Sequence, residues 1–84
     1  MKHANFTIGC HFDCGGHRWL CTDVGSRVIV AVRADTAEIA VTENGVTRRE
    51  VREVTQQDLA GPPYSLAEHV FDEDDMQGCS PSVK

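Results

Sequence analysis

Residues 10 to 32 read Cys10-His-Phe-Asp-Cys14-Gly-Gly-His17-Arg-Trp19-Leu-Cys21-Thr-Asp-Val-Gly25-Ser-Arg27-Val-Ile-Val-Ala-Val32. The pair Gly15-Gly16 reads as a two-residue hairpin loop, because both positions accept the positive φ of a type I′ turn. That loop sets Cys14 against His17, Asp13 against Arg18, Phe12 against Trp19, His11 against Leu20 and Cys10 against Cys21. Phe12 and Trp19 then make an aromatic cross-strand pair on one face, and Asp13 and Arg18 an opposite-charge pair on the other, each contributing about 0.2–1 kcal/mol. A one-residue slip would break both pairs and turn every side chain to the wrong face.

Outward from the hairpin, Arg27 and Arg33 bracket Val28 to Val32, which reads as the central strand, apolar on both faces. The arginine stems cover core while their charged ends stay in water. Ala37 to Thr42 alternates polar with apolar, and Asn44-Gly45 signals a second hairpin. A two-residue loop there pairs Ile39 with Glu50 and Val41 with Arg48. The expected register is instead shifted, through a three-residue loop or bulge, to pair Ile39 with Val51 and Glu38 with Arg52, since this collects apolar groups on one face.

Residues 46–54 are assigned to strand, although Thr47-x-x-Glu50 resembles a helix-opening capping box. A short helix is expected from Gln56 to Ala60, with Thr55 as N-cap, stopped by Gly61-Pro62-Pro63. Ser65-x-x-Glu68 is a further capping box, so Leu66 to Phe71 is left open between strand and helix. Before the first hairpin, Asn5 to Ile8 reads as a short strand ending at Gly9. Residues 80–84 are expected to form a loose tail. The expected fold is a single domain over 1–84, mainly β: a small antiparallel sheet or partly open barrel of the Src-homology type, with one or two short helical turns.

Composition narrows the function. An 84-residue domain buries only about two-thirds of the surface its unfolded chain exposes, so the core is thin. The formal charge is −5, and residues 1–53 are balanced at seven acids and seven bases, so the excess lies after Val54. A nucleic-acid binder needs a basic footprint, which this chain lacks overall, and direct nucleic-acid binding is not expected. No apolar run approaches the ~20 residues of a membrane span, and the first residues carry no apolar signal-peptide core. The expectation is a cytoplasmic protein with reduced thiols, no membrane contact and no cofactor.

Cys10, His11, Cys14, His17 and Cys21 are dense enough to raise the question of zinc. Their spacing lacks the Cys-x2-Cys elements of common structural sites, and the hairpin puts Cys10 and Cys21 at one end, Cys14 and His17 at the other. Zinc on Cys10, Cys14, His17 and Cys21 is therefore an alternative only, and small buried thiols are the default. A Cys10–Cys21 disulfide suits the pairing but not the expected compartment. Cys14 beside His17 shows adjacency without the orienting group that nucleophilic catalysis needs, and no enzymatic activity is expected. Asp72-Glu73-Asp74-Asp75 fails the calcium-loop pattern. Arg48, Arg49 and Arg52, the only basic cluster, are interleaved with Glu50 and Glu53 and read as a mixed-charge strand surface.

Two segments carry a resemblance: Cys-Gly-Gly-His-Arg-Trp-Leu-Cys-Thr-Asp-Val-Gly-Ser-Arg-Val-Ile-Val-Ala-Val (14–32) and Gly-Pro-Pro-Tyr-Ser-Leu-Ala-Glu-His-Val-Phe-Asp-Glu-Asp-Asp-Met-Gln-Gly-Cys-Ser (61–80). Together, nearly half the chain, they resemble a group of small uncharacterised proteobacterial proteins often encoded in mobile or accessory regions. The resemblance implies no activity. In that group the middle, here about 34–58, varies in length, and Cys10 and His11 fall outside the shared pattern. The expected function is a non-enzymatic acidic module that binds a protein partner through Tyr64, Glu68, Asp72, Glu73, Asp74 and Asp75. The alternative is an inhibitor of nucleic-acid-handling machinery, of the anti-CRISPR or another anti-defence type. Its closely spaced carboxylates would imitate phosphates in the partner's basic groove.

Overall fold

The structure is a computed structural model and describes residues 1–62, 64 and 66–82. The glycine hairpin forms in the expected register. Strand β1 (His11–Cys14) turns through Gly15 (φ +62°) and Gly16 (φ +79°) into β2 (His17–Val24), with Cys14 opposite His17 and Phe12 opposite Trp19. Asp13 and Arg18 approach to 3.8 Å on the outer face. Strand β3 (Ile29–Arg33) pairs antiparallel with β2 across a bulge that leaves Thr22 without an opposite residue. Such a bulge adds local twist, and the Thr22 hydroxyl donates to Val30 O at 3.2 Å within it.

Upstream of β1 the structure departs from expectation. Residues His3–Asn5 form a 3-10 turn, and Thr7 to Cys10 is a tight turn closed by Cys10 N–H to Thr7 O at 3.0 Å, so Asn5 to Ile8 is not a strand. Gly9, at φ +93°, donates to Cys21 O while Cys21 N–H donates to Cys10 O. Two residues thus oppose one in a bulge whose first position requires a left-handed backbone, and glycine supplies it.

Strand β4 (Thr36–Glu43) and strand β5 (Val46–Glu53) form the second hairpin as a separate two-stranded ribbon. Its register corrects the expectation: Ile39 faces Glu50 and Val41 faces Arg48, through a two-residue Asn44-Gly45 turn with both φ positive (+52° and +77°). The shifted register was expected on the premise that one face is buried, but β5 is exposed along nearly its whole length. With no buried face along β5 to satisfy, the turn geometry sets the pairing. The ribbon helps draw the molecule out to 48 × 24 × 23 Å.

The remaining elements are short. Residues 56–59 are successive turns rather than the expected helix, although Thr55 caps them as expected, its hydroxyl accepting from Asp58 N–H at 3.3 Å while the Asp58 carboxylate accepts from Thr55 N–H at 2.8 Å. Ser65, the start of the expected second capping box, lies outside the described residues. The open segment resolves as strand β6 (His69–Phe71), followed by helix α1 (Glu73–Gln77) and strand β7 (Cys79–Pro81). Ser80 and Pro81, expected in the loose tail, pair with Asp13 and Phe12.

The main sheet is antiparallel in the order β6-β3-β2-β1-β7, so β2, not the apolar β3, is its middle strand. The fold is mainly β as expected, with the sheet open and no closed barrel. Phe6, Phe12, Cys21, Ile29, Ala31, Phe71, Met76 and Cys79 form the buried core. A run of edge-to-face rings crosses it: Phe6 to Phe12 at 5.0 Å, Phe12 to Phe71 at 5.5 Å, Phe71 to Trp19 at 4.9 Å and Trp19 to His69 at 5.2 Å. Phe12 and Trp19 are register partners as expected, yet both rings meet on Phe71. The small side chains of Cys21 and Ala31, fully buried between the flanking strands, leave the space those rings fill.

Phe71 thus contacts both the Phe12 and the Trp19 ring in the middle of this run. Replacing a buried phenylalanine by alanine costs about 3–5 kcal/mol, a large share of the stability of a small domain. Phe71→Ala is expected to lose most of its cooperative urea transition, whereas Val51→Ala, at a 67% exposed ribbon position, shifts stability by less than about 0.5 kcal/mol. Equal midpoints for the two variants would contradict this assignment of the core.

Candidate functional site

The acidic run expected to meet a partner is folded rather than extended. Asp72 is the N-cap of α1: its carboxylate accepts from Asp75 N–H at 2.9 Å, and the Asp75 carboxylate accepts from Asp72 N–H at 3.1 Å. This reciprocal arrangement satisfies two backbone donors that a helix start leaves free, and it places acid where the helix dipole favours it. Met76 turns inward and is buried, and the Met1 nitrogen donates to Met76 O and Cys79 O at 2.8 Å each, holding the far end of α1. Glu73 pairs with Arg27 at 3.2 Å, both well exposed. Among the described residues Asp74 has no ion pair and faces solvent.

Glu68 stands at the entry to β6 and accepts from the Thr22 hydroxyl at 3.0 Å. Beside it Val70 is 64% exposed on β6, which has no strand on its outer side among the described residues. Tyr64 lies elsewhere in the contact pattern: its ring covers the backbone of Gly61, where an added Cβ would meet ring atoms at 2.7 Å. No hydrogen bond, ion pair or ring contact among the described residues joins Tyr64 to Glu68 or α1. Glu68 and the Asp72 to Asp75 run thus flank the three-residue β6 at its two ends, and no hydrogen bond or ion pair among the described residues joins either Glu68 or Tyr64 to α1.

Two polar clusters escaped the sequence reading. The first centres on Asp35, between β3 and the ribbon. Its carboxylate accepts from Arg33 Nε at 2.7 Å, Thr36 N–H at 2.7 Å and Arg18 N–H at 3.4 Å, and lies 3.2 Å from His17 Nδ1. Partial burial pushes the Asp35 carboxyl up, but hydrogen bonds from Arg33, Thr36 and His17 outweigh it and hold the group well below the usual carboxylate range. The second is Asp58, gripped by both terminal nitrogens of Arg52 at 2.6 and 2.9 Å and by the Thr55 N–H and hydroxyl. The bidentate guanidinium, with help from Thr55, likewise holds its carboxyl down. Arg52 was expected against Glu38; in the observed register it faces Ala37 and turns to Asp58. Both clusters sit at the base of the ribbon and fasten it.

The Cys/His set does not converge. Cys10 and Cys21 sit at the bulge end of the hairpin, and Cys14 and His17 at its turn. Among the described residues no group of three or more His, Cys, Asp or Glu side chains is arranged to hold a metal ion. His17 is oriented by Asp35, while the Cys14 thiol points to Asp75 O at 3.9 Å, so thiol and imidazole are directed to different partners. Burial, and then the neighbouring Cys14 thiol, push Cys79 up to about 12; burial and Cys10 push Cys21 up to about 11. These two thiols are protonated at neutral pH, so neither is the first to attack an outside electrophile. On the outer face of the sheet a cleft of about 430 Å³ opens between His11, Arg18, Ala34 and Ser82 and the 54–59 turn.

The depressed carboxyls set an acid limit. A carboxyl whose folded pKa lies below its unfolded value of about 3.9 stabilises the fold above that value and loses the contribution as pH falls through the folded one. Resistance to urea is therefore expected to fall as pH drops below about 4. Asp35→Asn and Asp58→Asn should each flatten this acid limb, and an unchanged slope in both variants would contradict the assignment. Comparison with protein-family models, with curated proteins and with solved structures finds no match to this chain.

Proposed function

We propose that this chain is a non-enzymatic protein-interaction module whose partner docks at the corner formed by β6 and α1. The observation that carries the reading is the contrast between the two edges of the main sheet. At the β7 edge Pro81 removes a backbone donor, a common way of blunting an edge against strand addition. At the β6 edge there is no proline, Val70 is exposed, and the acidic α1 follows directly. An extended partner segment would add its backbone to β6 and place basic side chains against Glu68 and the α1 carboxylates. Such a charge pattern speeds association and makes it sensitive to salt.

The phosphate-mimic reading draws on the same carboxylates, and their arrangement favours it less. Asp72 and Asp75 are engaged in capping and Glu73 in an ion pair, so Asp74 alone of the four is uncommitted. A partner that reads a general negative field beside a strand edge fits this better than one that reads a fixed row of phosphates. Tyr64 is not needed for docking at this corner.

Affinity capture from a host lysate with wild type, Val70→Lys and Asp74→Lys in parallel tests the proposal. The expected result is a protein held by wild type at low salt, released at high salt and lost from both variants. A captured set unchanged across all three would overturn it. Capture abolished by Tyr64→Ala but untouched by Val70→Lys would move the surface away from this corner.

A further inference from the structure

The register of β7 against β1 sets Cys79 directly opposite Cys14, two residues 65 positions apart in the chain. The kind of pair they make follows from the alternation of an antiparallel ladder. Ser82 N–H donates to His11 O, so His11 and Ser82 are a hydrogen-bonded pair. One step on, Phe12 and Pro81 are a non-hydrogen-bonded pair, consistent with the missing N–H of proline. Asp13 and Ser80 are then hydrogen-bonded, and Cys14 and Cys79 are not. From the other side, Cys14 flanks the two-residue Gly15-Gly16 loop, which directs its peptide groups toward His17 and away from β7.

Non-hydrogen-bonded pairs are the narrow ones, with Cα atoms about 4.5 Å apart and side chains on the same face, inside the range a disulfide spans. The side chains agree. Both thiols point at one acceptor, Asp75 O, at 3.9 Å from Cys14 Sγ and 3.4 Å from Cys79 Sγ. Cys10 and Cys21 are also neighbours, but they share a bulge and Cys21 N–H bonds to Cys10 O, which makes theirs the wider, hydrogen-bonded kind of pair. Each pair joins one half-buried thiol, Cys10 or Cys14, to one buried thiol, so the ladder geometry and not exposure separates them.

We propose that Cys14 and Cys79 are a redox modification site, a dithiol that a small-molecule disulfide of the oxidised-glutathione class converts to an intramolecular disulfide joining β7 to β1. The half-buried Cys14 reacts first. Its thiolate sulfur bonds to one sulfur of the small disulfide, the S–S bond breaks, and one small thiolate leaves and takes up a proton. Cys79 then gives its proton to solvent and bonds to the Cys14 sulfur, displacing the second small thiol. Two protein thiols are oxidised by two electrons and one small disulfide is reduced to two thiols. The bond closes a loop of most of the chain and fixes the carboxyl-terminal strand to the hairpin, with the α1 backbone between them.

The test is native incubation of the full chain with oxidised glutathione, then alkylation in denaturant and peptide mapping. The expected map shows a Cys14–Cys79 cross-linked peptide with Cys10 and Cys21 alkylated. It is accompanied by a higher urea midpoint that dithiothreitol reverses, since a closed loop restricts the unfolded chain. Cys10→Ser should keep both effects, and Cys14→Ser and Cys79→Ser should abolish both. A Cys10–Cys21 link, a mixture of links, or four alkylated thiols overturns the proposal. The wild-type map decides even where a variant does not fold.

Discussion

A two-residue turn has no slack. Once Gly15 and Gly16 adopt left-handed backbone, the pairing of β1 with β2 is fixed, and with it the face on which every residue of both strands lies. Phe12, Trp19 and Cys21 go inward because of that turn. The rest of the sheet is laid down against them: β3 on one side supplies Ile29 and Ala31, β7 on the other supplies Cys79. The aromatic run from Phe6 to His69 exists only in this register, since a slip would send Phe12 and Trp19 to the solvent face. Substituting either glycine would act on the whole core through a position that touches none of it.

Two kinds of force hold the two parts of the molecule. The main sheet is covered on one face by the lead-in, through Phe6, and by α1, through Met76, it buries Val32 on the other, and its cohesion is chiefly apolar. Among the described side chains the β5 strand of the ribbon has almost no apolar cover, and a lone two-stranded hairpin is marginal in water. Its stability is borrowed from its base, where Asp35 and Asp58 each gather several donors and Val54 N–H closes on Asp35 O at 3.0 Å. Charge-assisted hydrogen bonds of this kind are stronger than neutral ones and direction-sensitive. They fix where the ribbon leaves the sheet without requiring it to pack.

Legibility in the sequence followed how local each signal was. The first hairpin, its register and the mainly β class were readable because a Gly-Gly pair and a five-residue apolar run state their own geometry. The register of the ribbon was misread because burial was assumed to outrank turn chemistry, and the exposed Val46 and Val51 show there was no burial to outrank it. Helix α1 was missed because four consecutive acids look like a solvated run; Asp72 and Asp75, three apart, carried a capping signal in residues more often read for charge. The Asp35 cluster and the Cys14–Cys79 pair were beyond local reading. Arg33 and Thr36 are Asp35's neighbours in the chain, but the strand order alone brings His17 and Arg18 to it and Cys14 to Cys79.

The ribbon's attachment has a bearing on how the chain tolerates change in length. Its tip is a free-standing Asn44-Gly45 turn, and its anchors, at Asp35, Arg52 and Asp58, all lie at the base. Nothing in the sheet measures how far the ribbon reaches. Residues removed from or added to both strands in matched pairs would leave the turn, the base and the sheet untouched, and an even number in each strand would also keep every side chain on its own face. The body of this fold is fixed in size by the rings it encloses. The arm is a dimension along which the molecule is free to grow or shorten without being redesigned.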